Sequence, residues 1–219
     1  MSLREKVLDL VFPPKCPFCR RVLEDPGAPV CPACVSELPW LEGGAEARSV
    51  EFSDGCFSPL AYRGAVPEAM HRYKFGRVRA LGRPFAALMA RCLDNCLERR
   101  PDLICWAPLS GKRRRERGFD QAELMAREIG RRLSVPVRPV LQKKRHTAPQ
   151  SGMEDMSGRR ANAQGAYALL PGADLTGKRV VLVDDVVTSG STLSACAALL
   201  RQGGAEGVYC LTLAQARRG

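Results

Sequence analysis

Residues 179–193, RVVLVDDVVTSGSTL, constrain this chain more than any other stretch. Val180, Val181, Leu182 and Val183 are consecutive and apolar, which predicts a strand buried on both faces. Two carboxylates, Asp184 and Asp185, end it. A turn of small hydroxyl residues follows, Thr188, Ser189, Gly190, Ser191 and Thr192, and helix-forming residues over 193–200 stop at Gly203 and Gly204. A helix N-terminus presents free N–H groups and the positive end of the macrodipole, so this loop suits a dianionic phosphate. Gly190 lets the backbone approach closely, and the four hydroxyls add donors. The carboxylates can accept hydrogen bonds from two vicinal sugar hydroxyls. A Walker loop is excluded because its lysine is missing, and so is a dinucleotide fingerprint, because no GxGxxG occurs. The plain alternative is a strand–turn–helix unit with an acidic cap.

The second strong pattern lies near the N-terminus. Cys16-Pro-Phe-Cys19 and Cys31-Pro-Ala-Cys34 are separated by eleven residues, a spacing that sets four thiolates around one tetrahedral Zn²⁺. The proline in each knuckle fixes the turn and leaves later amides free to donate to sulfur. Disulfides or an iron–sulfur centre are the alternatives. A closed four-thiolate site has no open position, so its role is structural. Residues 3–12 fit a short amphipathic helix stopped by Pro13-Pro14, and the apolar patch over 7–12 is too short, and too interrupted by Asp9, to insert in a membrane. The chain therefore reads as cytoplasmic, where its ten cysteines are not expected to pair. Residues 35–50 read as a linker, dividing a zinc module with its helix (1–45) from a larger α/β domain (46–219).

Charge matters for the larger domain. The net charge is +11, and residues 56–170 hold twenty-three Lys and Arg against ten Asp and Glu. That stretch must face an anion, unless its arginines only solvate helix faces. Within it, residues 56–62 read as strand, followed by a turn at Arg63-Gly64. Lys74 is placed either to reach an anion or to sit in solvent. Phe85, Leu88, Met89, Cys92, Leu93, Cys96 and Leu97 recur at helical spacing over residues 84–99, which puts Cys92 and Cys96 in the core. Residues 103–107 are a buried strand. The run Lys112-Arg113-Arg114-Arg115-Glu116-Arg117 follows, in a loop that opens a helix reaching 133. A cationic loop at the carboxyl end of an α/β strand points into the crevice where such sheets bind ligands. Further strands are expected over 135–141, 165–170 and 208–214. Residues 142–163 form a polar loop too long to be mere connection, with His146 either solvated or an acid–base group. Stacking aromatics are scarce around the densely basic residues 110–121, with only Phe119 among them, which favours contacts to a nucleic-acid backbone over base reading.

Taken in order, these segments resemble the ComF family of competence-related proteins. Residues 180–192 resemble the phosphoribosyl pyrophosphate (PRPP) motif of type I phosphoribosyltransferases. Arg117-Gly118-Phe119-Asp120-Gln121 matches the family pattern R-G-[FY]-[ND]-Q, with Asp120 where many relatives carry asparagine. Gln150 and Arg159-Arg160-Ala161-Asn162 match its later loop. The resemblance implies a type I phosphoribosyltransferase-like parallel sheet flanked by helices, behind a zinc-ribbon-like N-terminus. It implies that Asp184 and Asp185 hold ribose, that residues 188–192 hold the 5′-phosphate, and that Arg117 faces pyrophosphate with its Mg²⁺. Gln150 and Arg159 then join Asp184 and Asp185 as catalytic candidates on a loop closing over PRPP. It also implies a role in taking up single-stranded DNA during natural transformation, beside a helicase-like partner. A phosphoribosyltransferase of nucleotide metabolism with no DNA role is the other expectation.

Overall fold

The computed structural model describes residues 13–42, 49–144 and 165–216. In chain order the elements are α1 (Pro32–Glu37), β1 (Gly55–Phe57), β2 (Leu60–Ala61), α2 (Val66–Phe75), a 3-10 turn (Arg79–Leu81), α3 (Gly82–Cys96) and β3 (Leu103–Trp106). There follow α4 (Gly111–Arg117), α5 (Gln121–Leu133), β4 (Leu141–Lys143), β5 (Tyr167–Leu169), β6 (Arg179–Val183) and β7 (Val186–Val187). The last are α6 (Ser191–Gln202), β8 (Gly207–Leu211) and β9 (Ala214–Gln215). The helix expected over 3–12 lies outside the described residues.

Four strands make the central sheet in the order β1-β8-β6-β3, every pair parallel. Parallel strands need both faces covered, which is why their sequences are unbroken apolar runs. Ile104, Trp106, Val181 and Val183 face one layer, built from α2, α3, α5 and the N-terminal module. Leu103, Cys105, Val180, Leu182, Val208 and Cys210 face the other, built from α6 and the β4–β5 hairpin. Beyond the sheet, three of these strands stop and resume as a second parallel set, β2-β9-β7. The interruptions fall side by side at Ser58-Pro59, Thr212-Leu213 and Asp184-Asp185. They are tied by a buried Ser58 Oγ to Thr212 Oγ1 contact of 2.6 Å, by Asp184 N–H donating to the Leu211 carbonyl, and by Leu213 N–H donating to that of Asp185. The acidic pair therefore sits on a break shared by three strands, where residues 56–62 and 208–214 each read from sequence as one strand.

Local chemistry explains the other departures. Instead of one helix opening in the basic run, there are two. Gly118, at φ +79°, ends α4, and buried Asp120 caps α5 by accepting from the N–H groups of Ala122 and Glu123. A third donor, Leu109 N–H, holds the other Asp120 oxygen at 3.0 Å. Asparagine caps as well as aspartate, so Asp120 keeps the function of the position. Residues 135–141 do not form a full strand. Pro136 and Pro139 remove donors, and what remains is a parallel bridge from Ile104 to Val137 before the β4–β5 hairpin. Helix α2 was not expected, although Val66, Ala69, Met70 and Tyr73 all turn into the core. Cys92 is buried as expected, while Cys96 is only half-buried. No helix among the described residues is long and apolar enough to cross a membrane.

The N-terminal module joins the core directly. Phe18 packs against Phe85 with ring centroids 5.9 Å apart, and Arg72 of α2 donates to the carbonyls of Pro17 and Phe18. Residues 35–42, expected as linker, carry the end of α1, buried Leu38, and Trp40 bridged to Leu60.

The seam between α5 and residues 135–137 supplies a test. A Cβ on Gly130 would lie 2.1 Å from Val137 Cγ2 and 2.8 Å from the Val135 carbonyl oxygen. Helix propensity favours Gly130→Ala by about 1 kcal/mol. Overpacking costs about 1–3 kcal/mol, and a backbone oxygen cannot rotate aside. The clash is expected to win, lowering the urea midpoint by the equivalent of roughly 1–2 kcal/mol. A raised midpoint would show that residues 135–137 yield freely.

Candidate functional site

Strand β6 delivers Asp184 and Asp185 to the break in the sheet, and α6 begins six residues after Asp185. Asp185 N–H donates to Asp184 Oδ1 at 2.8 Å. Lys74, from the last turn of α2, reaches Asp185 Oδ1 at 2.8 Å with both side chains largely shielded. Burial and the charge of Asp185 push the Asp184 carboxyl up to about 7, against the Asp185 N–H and Lys74, which pull it down. Lys74 thus pairs with one acid, while burial and like charge raise its neighbour.

The loop beyond them is built as the sequence suggests. Gly190 is the N-cap of α6 at φ +81°, a conformation that L side chains rarely adopt, and it offers no side-chain acceptor to the first turn. Ser189 Oγ lies 3.0 Å from Ser191 Oγ and accepts weakly from Ser191 N–H at 3.4 Å. Thr188 and Ser189 are exposed, while Ser191 and Thr192 are half-buried. The first turn of α6 thus carries hydroxyls beside N–H groups that lack a side-chain acceptor from the cap.

Two residues not singled out from sequence complete the wall. Tyr167, on β5, directs its hydroxyl to Thr192 of the loop. Lys143, its register partner on β4, donates to that hydroxyl at 2.9 Å. Burial and the charge of Arg113 lower the Lys143 ammonium, while Asp184 works the other way. Arg113 is therefore the arginine of the basic run whose charge is felt at Lys143 and Tyr167. Arg117 donates to Gln121 Oε1 at 3.1 Å and stands over the ring of Phe75 at 5.2 Å, and Arg114 pairs with Glu123 at 3.3 Å. Gln150, Arg159 and His146 lie outside the described residues. Tyr167 falls in a strand expected from sequence, whereas Lys143 falls in what reads as the start of the polar loop, and neither carries a further signal.

The four cysteines form a separate centre. Cys16, Cys19, Cys31 and Cys34 bring their sulfurs within 4.8 Å of one another, with Cys19 and Cys31 at 3.5 Å. A tetrahedral Zn²⁺ with Zn–S of about 2.3 Å sets its sulfurs roughly 3.8 Å apart. Burial would raise the Cys16 thiol, yet the N–H groups of Cys31, Cys19 and Phe18 outweigh it and hold it down to about 7. Burial and its three neighbours push Cys34 up, the mutual repulsion that a divalent cation relieves. The donor set fits zinc.

Comparison with known proteins follows the same division. The phosphoribosyl transferase domain model matches residues 119–219, and the double zinc ribbon domain model matches residues 7–45. The chain is 31% identical over 153 residues to Competence protein F of Haemophilus influenzae, an alignment covering 67% of this chain and 66% of that protein. It is 30% identical over 206 residues to DNA utilization protein YhgH of Salmonella typhimurium, covering 90% of this chain and 82% of that one. Among solved structures, adenine phosphoribosyltransferase from Saccharomyces cerevisiae is 18% identical with a TM-score of 0.41, over 64% of this chain and 72% of that one.

Proposed function

Since this chain belongs to the ComF family, a phosphoribosyl transferase domain behind a double zinc ribbon, we propose that its sheet break binds PRPP or a related ribose phosphate in the service of DNA uptake. One observation carries the reading: Asp184 and Asp185 stand at the carboxyl end of β6, one short loop from the glycine-capped N-terminus of α6. Vicinal ribose hydroxyls donate to the carboxylates, and the 5′-phosphate accepts from the 188–192 loop. Lys74, Lys143 and Arg113 offset the remaining negative charge of a pyrophosphate, whose Mg²⁺ arrives with it as counter-ion. Single-stranded DNA, met beside a helicase-like partner during natural transformation, is the macromolecular partner we assign. The excess of basic residues between 56 and 170 supports it.

A second reading, transfer of the phosphoribosyl group to an acceptor, draws on Asp184. A carboxyl held up to about 7 can exchange a proton at neutral pH. One experiment addresses both. PRPP with Mg²⁺ at 100 times its Kd is expected to stabilise the protein by about 2.7 kcal/mol, read as a melting shift. Asp184→Asn combined with Asp185→Asn is expected to abolish that shift, while pyrophosphate release on adding nucleobases reports turnover. An equal shift in the double variant would show that the ligand binds elsewhere.

A further inference from the structure

Phe75 is 60% exposed at the end of α2, with no part in the core. One guanidinium and one imidazole ring lie against it. The guanidinium of Arg117 lies 5.2 Å from its centroid and the His71 ring 4.9 Å away, tilted by 41°. Two residues on, Arg77 donates to the Glu116 carbonyl at 3.3 Å, which ties this corner to the basic helix α4. One residue back, Lys74 enters the phosphoribosyl site through Asp185. The aromatic within residues 110–121, Phe119, is buried against Tyr73 and so offers no free face. The exposed ring that sequence spacing did not place beside the arginines is therefore Phe75, brought there by the fold.

An exposed phenyl ring among guanidinium groups is poorly suited to an apolar protein face, because association would desolvate the cations. It suits a flat, polar π-system linked to anions. We propose that Phe75 is a stacking platform for a base of single-stranded DNA, with Arg117 and Arg77 taking the flanking phosphates. This deepens the DNA reading above and rests on it. Stacking on one aromatic is tolerant of sequence, so the platform confers affinity without base selectivity. Its place one residue from Lys74 sets the strand at the rim of the phosphoribosyl site.

The test compares a short oligothymidylate with an abasic oligomer of equal length, by fluorescence anisotropy on the full chain at low salt. Phe75→Ala is expected to weaken thymidylate binding by about 5-fold or more, the low end of the stacking range. It should leave abasic binding and the salt slope unchanged, since no phosphate contact is removed. Phe75→Trp should keep the affinity and show emission quenched on binding, beyond any change in the parent. Equal losses on both oligomers, or no loss on either, would overturn the platform and leave the DNA reading standing. Absence of binding by the parent chain at low ionic strength would remove the DNA reading and the platform with it. Competition by polyglutamate as effective as by the oligomer would reassign the patch to an acidic protein segment.

Discussion

Chelating the metal, or changing Cys34 to serine, is expected to lower the melting temperature of the whole chain and not merely to free its first forty residues. Structural zinc contributes about 10–16 kcal/mol to the fold of small zinc modules, which otherwise lack the core to hold together. Here that module also roofs the larger domain. Phe18, Leu23, Val30 and Leu38 are all buried in one continuous cluster with Met70 and Phe85. Phe85 is 0% exposed, and Phe18 packs on it. Once the cysteines part, Phe18 leaves, and each apolar side chain uncovered beneath it loses about 1.5–3 kcal/mol of burial. Calorimetry with and without chelator should show the main transition fall by several degrees, while native mass spectrometry counts one zinc per four-cysteine cluster. An unchanged main transition in the metal-free chain would mean that the module folds apart from the domain. A protein bearing four free thiols and no metal would refute the zinc assignment itself.

How much of this was readable from sequence depends on how local the cause is. The strand of 180–183, the acidic pair, the glycine-capped loop and its helix are one continuous segment, and each residue there acts on its neighbours. The same holds for the paired knuckles, where spacing alone gathers the sulfurs. The break across three strands is different. Ser58, Thr212 and Asp184 come together only through pairings of β1 with β8 and β8 with β6, and no spacing along the chain announces them. Lys143 and Tyr167 meet through a hairpin whose two strands are more than twenty residues apart. The basic run shows a further limit. Composition makes Arg114 and Arg117 equivalent, yet helix α4 turns them to Glu123 and Phe75 in that order. Only α2 was a missed local signal. Its apolar residues 66, 69, 70 and 73 keep a clean helical period, and Pro67 belongs in a first turn, where it costs nothing.

Replacing Asp184 by asparagine is expected to stabilise the folded chain at pH 8 while weakening its ligand. Below pH 3.8 the carboxyl is protonated whether the chain is folded or not, and it costs nothing. As pH rises, the unfolded chain releases this proton near 3.8, whereas the folded chain holds it until about 7. Through that window the unfolded state is the more favoured with each step. Stability that is complete at low pH is lost as pH climbs to the folded value, and stays lost above it. At about 1.4 kcal/mol per pH unit the loss approaches roughly 4 kcal/mol, an upper bound because Asp185 shares the titration. Asparagine keeps the oxygen that accepts from Asp185 N–H and carries no charge to desolvate. The variant should therefore melt several degrees above the parent at pH 8, with the gap closing towards pH 4. A hydroxyl donating to a carboxylate contributes about 1.5–3 kcal/mol, against about 0.5–1.5 kcal/mol to a neutral acceptor, so ligand affinity should fall roughly 5-fold in the same variant. In the parent, ligand affinity should decline from pH 8 to pH 6 more steeply than the ligand's own phosphate titration requires, and the asparagine variant should lack that excess. If Asp184→Asn instead melts lower at pH 8, then Lys74 and the Asp185 N–H stabilise the ionised acid by more than burial opposes it. The acidic pair would then be a structural strut of the sheet break, in place of the ligand-binding role proposed for it.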